Sequence, residues 1–131
     1  MVKDGIVVID DDQSVLKAFE KVLSAQDFSI TTYNRSESVL NMIRQKKPKI
    51  VIIDMKMSDE NNRELMNKIK QIDDNIVIIV MTSYSNILTK RNAYLLGADD
   101  YLQKPFEISA MISSLKRLIS KERHTKLVSK G

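Results

Sequence analysis

Ile50-Val51-Ile52-Ile53-Asp54 is the stretch on which the fold of this chain turns. Four consecutive β-branched aliphatic residues leave no polar face, and the run is too short for a helix. It suits a strand buried on both sides, as in a parallel sheet covered by helices. Two counterparts flank it, Ile6-Val7-Val8-Ile9 upstream and Ile76-Val77-Ile78-Ile79-Val80 downstream. Phe28-Ser29-Ile30-Thr31-Thr32-Tyr33 alternates instead, as a strand nearer a sheet edge does. Asp100-Tyr101-Leu102 supplies a short fifth candidate.

Helical patterns fill the intervals. Val15, Leu16, Phe19, Val22 and Leu23 mark one apolar face, and Val39, Leu40 and Ile43 a second that stops before Pro48. Leu65, Ile69 and Ile72 suggest a third helix, and residues 86–96 a fourth, with Gly97 placed to end it. A fifth is expected over residues 108–120, where Ile108, Met111, Ile112, Leu115, Leu118 and Ile119 share a face. Five βα units in succession predict an α/β, doubly wound (βα)5 sandwich around a five-stranded parallel sheet, flavodoxin-like in outline. One domain is expected over residues 1–122, with a basic tail or linker over 123–131.

Bulk properties narrow the class. A chain of 131 residues suits one domain with a real core, and the absence of cysteine excludes disulfides and thiolate metal sites. The opening Met1-Val2-Lys3-Asp4-Gly5 leads into only four apolar residues, unlike a signal peptide. No run approaches the roughly 18 apolar residues of a membrane span. A soluble, cytoplasmic protein is the expectation. The net charge of +4 is concentrated: residues 116–130 carry +5, leaving −1 elsewhere. A basic tail with few aromatics reads as a solvated helix end and linker, so no direct nucleic-acid binding by this domain is expected. His124, the sole histidine, lies in that tail and is a poor ligand or base.

In an open α/β sheet, ligands gather beyond the carboxyl ends of the strands. Asp10, Asp11 and Asp12 follow the first run, Asp54 the third strand, Thr82 and Ser83 the fourth, and Lys104-Pro105 the fifth. With three glycines in the chain and none in these turns, a dinucleotide or flavin phosphate loop is excluded. What converges is an acidic cluster with a hydroxyl pair and a lysine. Carboxylates brought to one edge repel, and a hard divalent cation with oxygen ligands, Mg²⁺ above all, relieves them. A carboxylate is also an established nucleophile for phosphoryl transfer, a reaction that depends on positioning and charge neutralisation. Lys104 and the Thr82 hydroxyl are suited to contact phosphoryl oxygens. Singly, each residue has an ordinary reading: Asp10-Asp11-Asp12 as a helix cap, Thr82 as a turn residue, Lys104 as a solvated cation. It is their arrival at one sheet edge that points to chemistry.

Four motifs carry a family resemblance over about residues 4–120. They are Ile6-Val7-Val8-Ile9-Asp10-Asp11-Asp12, Ile52-Ile53-Asp54-Met55-Lys56-Met57, Ile79-Val80-Met81-Thr82-Ser83, and Gly97-Ala98-Asp99-Asp100-Tyr101-Leu102-Gln103-Lys104-Pro105-Phe106. In this order and spacing the sequence resembles the receiver domain of two-component response regulators. The resemblance implies that Asp54 is the phosphoacceptor. It also implies that Asp10, Asp11, Asp54 and the Lys56 carbonyl hold Mg²⁺, with Asp11 the likelier direct ligand of the acid pair. Thr82 matches the hydroxyl switch residue, Lys104 the phosphate-contacting lysine, and Tyr101 the aromatic that moves with Thr82. Lys56 and Tyr84 fall where side chains tune the lifetime of the phosphorylated form. The implied partner is a sensor histidine kinase or a histidine phosphotransfer protein. A homodimer through the fourth helix, fifth strand and fifth helix is a further possibility of the family.

The sequence departs from the pattern after Asp54, where Ser58 and Asn62 stand in place of a usual proline and glycine. Asparagine tolerates positive φ less well than glycine, so an altered or looser loop is expected there. Ser83 stands where alanine is commonest. A phosphorylation-driven switch is weighed against two other classes. A pseudo-receiver interaction module would lack an acid, the hydroxyl or the lysine, and none is missing. A carboxylate-nucleophile hydrolase normally has an acid two residues after the nucleophile, where this chain has Lys56. An autocatalysed switch fits better than a turnover enzyme. The sequence suits either a stand-alone shuttle or a receiver excised from a longer regulator, and the basic tail favours the second.

Overall fold

The three unbroken aliphatic runs lie side by side in one parallel sheet in the computed structural model, which describes residues 4–25, 28–33, 39–54, 59–82, 94–95, 97–103 and 110–118. The elements run β1 (Asp4–Ile9), α1 (Gln13–Ser24), β2 (Phe28–Tyr33), α2 (Val39–Lys46), β3 (Ile50–Asp54), α3 (Asp59–Ile72), β4 (Val77–Thr82) and β5 (Asp100–Gln103). Residues 110–118 form a further helix, within the span expected from periodicity, and Tyr94 and Leu95 carry helical backbone. The side chains of Asp4, residues 59–62 and Thr82 lie outside the described set.

The sheet order is β2-β1-β3-β4-β5, with every neighbouring pair parallel. This is the doubly wound, flavodoxin-like arrangement that the alternating pattern predicts. Alternating β2 takes an edge, and the aliphatic strands β1, β3 and β4 take the interior. Their burial explains why the runs have no polar positions. Val7, Ile9, Val51, Ile53, Ile78 and Val80 join one core with Val39 and Ile43 of α2 and Met66 and Ile69 of α3. Ile6, Val8, Ile50, Ile52, Ile79 and Met81 join the other with Leu16, Phe19 and Leu23 of α1 and Met111 and Leu115 beyond. Successive strand residues point to opposite faces, so both sets must be apolar. Each such side chain contributes about 1.5–3 kcal/mol on burial.

The ends of the elements follow local rules. Asp12 caps α1: its Oδ1 accepts from the Ser14 N–H (2.9 Å) and the Ser14 hydroxyl (2.6 Å). Gly97 follows the helical residues at φ 112° and donates its N–H to the Tyr94 carbonyl (3.0 Å), the stop that its position predicts. At the end of α2 the same left-handed role falls on Lys47, with φ 46° and its N–H donating to the Ile43 carbonyl (2.9 Å). A residue with a Cβ is strained there.

One expectation is corrected. The altered loop expected across Ser58 and Asn62 does not extend to Asn62, because α3 begins at Asp59 and Asn62 stands in its first turn. The polar opening of α3, Asp59-Glu60-Asn61-Asn62-Arg63-Glu64, has no apolar periodicity until Leu65, which is why its start is invisible to pattern. Ser58 lies outside the described residues, as does most of the expected fourth helix.

Candidate functional site at the carboxyl edge of the sheet

The chain leaves β1 for the β2 side of the sheet and later crosses to β3 on the other. The crevice between the carboxyl ends of β1 and β3 is therefore the topological switch point, where ligands of such sheets bind. Asp10 lies immediately after β1 and Asp54 ends β3, which puts one carboxylate on each lip. Both are fully buried, whereas Asp11 is exposed. One carboxylate oxygen from each of Asp10, Asp11 and Asp54 lies within 4.8 Å of the other two.

Backbone bonds hold this geometry. The Asp10 N–H continues the β1–β2 ladder by donating to the Tyr33 carbonyl (3.0 Å). The Asp10 carboxylate accepts from the Asp12 N–H (3.0 Å), tying the turn to the start of α1. The three consecutive acids thus divide their work. Asp12 is consumed as the helix cap, while Asp10 and Asp11 face Asp54. Of the two readings open in the sequence, the cap falls to Asp12, and Asp10 and Asp11 lie beside Asp54.

Three carboxylates so close are electrostatically unfavourable. Two charges about 4 Å apart repel by about 4 kcal/mol at an effective dielectric constant of about 20. A site of oxygen donors only, carrying a concentrated negative charge, can hold a hard metal cation. The donor set therefore fits a divalent ion.

The remaining predicted residues are distributed as follows. The Thr82 backbone ends β4 one position beyond Met81, which pairs with Asp54 across the β3–β4 ladder. Tyr101 pairs with Val80, is half-buried, and packs against the core on the α2 and α3 side. Lys56, Tyr84 and Lys104 lie outside the described residues.

Sequence reasoning missed a clamp at the opposite edge. Lys70 of α3 donates through Nζ to the Ile76 carbonyl (2.6 Å) and to Asp99 Oδ2 (2.7 Å). The same Asp99 oxygen accepts from the Ile78 N–H (2.8 Å), while the Asp99 N–H donates to the Ile78 carbonyl (2.7 Å). One residue on, Asp100 is buried and its Oδ2 meets Arg117 Nη2 at 3.3 Å. Asp99 and Asp100 belong to a quoted motif, but no local signal pairs them with partners 29 and 17 positions away. Together these contacts fix the approach to β5 and so the position of Tyr101.

A doubly wound sheet with an acid cluster at its switch point defines an α/β protein with a candidate carboxylate site, and the comparison with known proteins gives the family. The chain belongs to the response regulator receiver domain family, which it matches over residues 6–116. It is 34% identical over 117 residues to the DNA-binding transcriptional regulator NtrC of Escherichia coli, covering 88% of this chain and 25% of that protein. It is 29% identical over 113 residues to the response regulator protein GraR of Staphylococcus haemolyticus, covering 86% and 50%. The chain thus spans about a quarter to a half of the length of these relatives. Among solved structures it resembles a BeF3-activated DrrB receiver domain, with a TM-score of 0.79 and 27% identity, covering 91% of this chain and 99% of that one. It also shares the fold of NtrX from Brucella abortus in complex with ADP, with a TM-score of 0.86 and 23% identity, covering 98% and 29%. Among the described residues no helix is long and apolar enough to cross a membrane.

Proposed function

We propose that this receiver domain is a phosphorylation-driven switch that accepts a phosphoryl group on Asp54 from a histidine kinase or a histidine phosphotransfer protein. The observation that carries this reading is the meeting of Asp10, Asp11 and Asp54 within 4.8 Å at the switch point. In the transfer, a carboxylate oxygen of Asp54 forms a bond to phosphorus as the phosphorus–nitrogen bond of the donor imidazole breaks. Mg²⁺, held by Asp10, Asp11, Asp54 and the Lys56 carbonyl, would neutralise the phosphoryl charge. Lys104 and the Thr82 hydroxyl serve as donors to the phosphoryl oxygens, and Tyr101 follows Thr82 between two packings. Such a two-state element lets a local charge reach a distant surface. That surface, around β5 and the helices beside it, is where a homodimer or an output would engage. The setting is cytoplasmic, and this domain itself does not contact nucleic acid.

The test is incubation with a small acyl-phosphate donor, with and without Mg²⁺, followed by intact mass. The protein gains one phosphoryl group only with Mg²⁺, and Asp54→Asn abolishes the gain. An unlabelled protein with all its acids intact would instead favour the pseudo-receiver reading. Lys56 and Tyr84 shield the acceptor from water in this account, so Lys56→Asn shortens the lifetime of the phosphorylated form. Equal dephosphorylation rates would remove that role.

A further inference from the structure

At the end of the sheet opposite Asp10 and Asp54, the stretch between α2 and β3 is basic. Arg44-Gln45-Lys46-Lys47-Pro48-Lys49 places four cations and no acid in one turn of chain. Two clefts open beside it and share Lys47. One, of about 520 Å³, lies between the starts of β1 and β2 and the end of α2, and Lys46, Lys47 and Lys49 line it with Ser29 and Thr31. The other, of about 560 Å³, lies between α2 and α3, and its lining includes Arg44, Lys47, Lys68 and Ile72. Among the described residues neither cleft is lined by an acid. Among the described residues Lys46, Lys47 and Lys49 make no ion pair, and Arg44 donates to Asn41 (3.0 Å). Lys68 is held by Glu64 at 3.0 Å, an exposed pair of little strength.

Cations at the end of α2 partly answer its dipole. That accounts for one or two of them, not for Lys49 beyond the helix or Lys68 on another. Gathered charge of one sign repels itself and attracts an anionic partner. Two neighbouring clefts on either side of Lys47 suit an extended chain laid across both rather than a compact ligand. Among the described residues no aromatic side chain lines either cleft, so bases would find nothing to stack on there, whereas half-buried Ile72 offers apolar contact to side chains. We propose that these clefts together form a groove that docks an extended acidic peptide segment of a partner protein. Gly5 lines the groove five residues before Asp10, about 16 Å along an extended strand. That exceeds the screening length of about 8 Å at physiological salt. Groove and acid site can therefore be occupied together, and the docking stands whether or not Asp54 is phosphorylated.

The experiment is an NMR titration of the full chain with a poly-glutamate peptide of about ten residues, roughly 33 Å when extended. Amide shifts are expected at residues 46, 47, 49 and 68–72 and not at residues 10–12. Lys46→Gln with Lys47→Asn, the latter chosen because asparagine tolerates positive φ, weakens binding about tenfold. Lys68→Gln, exposed and on a different helix, weakens it less but measurably. A single-stranded oligonucleotide of equal charge binds more weakly. Absence of binding at low salt overturns the proposal, as do shifts confined to the basic stretch 116–130. Equal or tighter binding of the oligonucleotide overturns it too, and makes the groove a nucleic-acid surface.

Discussion

The two ends of the sheet use the same residue types in opposite ways. At the carboxyl edge, Asp10, Asp11 and Asp54 bring three carboxylates within 4.8 Å of one another, and two of them are fully buried. At the amino edge, Asp99 sits in a closed arrangement, its carboxylate answered by Lys70 and the Ile78 N–H. One acid set gathers like charge, which costs stability, and the other repays its placement in stability. The difference teaches that burial and acidity alone do not mark a site; what marks it is like charge that the fold gathers in one place.

This contrast can be broken most forcefully at Asp10. Asp10→Asn keeps the oxygen that accepts from the Asp12 N–H but removes one charge from the cluster. Mg²⁺ affinity, read by calorimetry, falls at least about tenfold. In metal-free buffer the same variant is as stable as the wild type or more so, by up to about 2 kcal/mol in urea unfolding. A destabilised Asp10→Asn would mean that the acid edge is structural after all. Next comes the clamp. Lys70→Met leaves Asp99 without its cation and the Ile76 carbonyl without a donor, and costs about 1–2 kcal/mol. The value is discounted because the Lys70 and Asp99 side chains are 24% and 39% exposed. Mg²⁺ affinity is unchanged, which separates the two ends. The smallest effect is at Lys47, whose left-handed backbone is expensive for a residue with a Cβ. Lys47→Gly raises stability by about 0.5–1 kcal/mol in the same unfolding assay.

The fold was legible in the sequence because its signal is local and redundant. Three aliphatic runs could only be doubly buried strands, and alternating β2 could only be near an edge. The acid site was legible for a related reason: strand ends in this topology all point one way, so residues after each run can be listed without coordinates. Three features were hidden. The start of α3 has no apolar residue to show it, so Asn62 was placed in a loop it does not occupy. The left-handed turn at Lys47 has no glycine to announce it. The Lys70–Asp99 clamp joins residues 29 positions apart and exists only once α3 lies against the β4–β5 approach. Net charge also misled: −1 outside the tail conceals an acidic edge at one end and a basic groove at the other.

The central claim is that Asp54, among three neighbouring carboxylates, is the one that accepts the phosphoryl group. Labelling with an acyl-phosphate donor and Mg²⁺, reduction of the aspartyl phosphate with borohydride, and peptide mapping by mass spectrometry address it directly. The account predicts homoserine at position 54, with Asp10 and Asp11 unchanged. Homoserine at position 10 or 11, or label retained in Asp54→Asn, would contradict it.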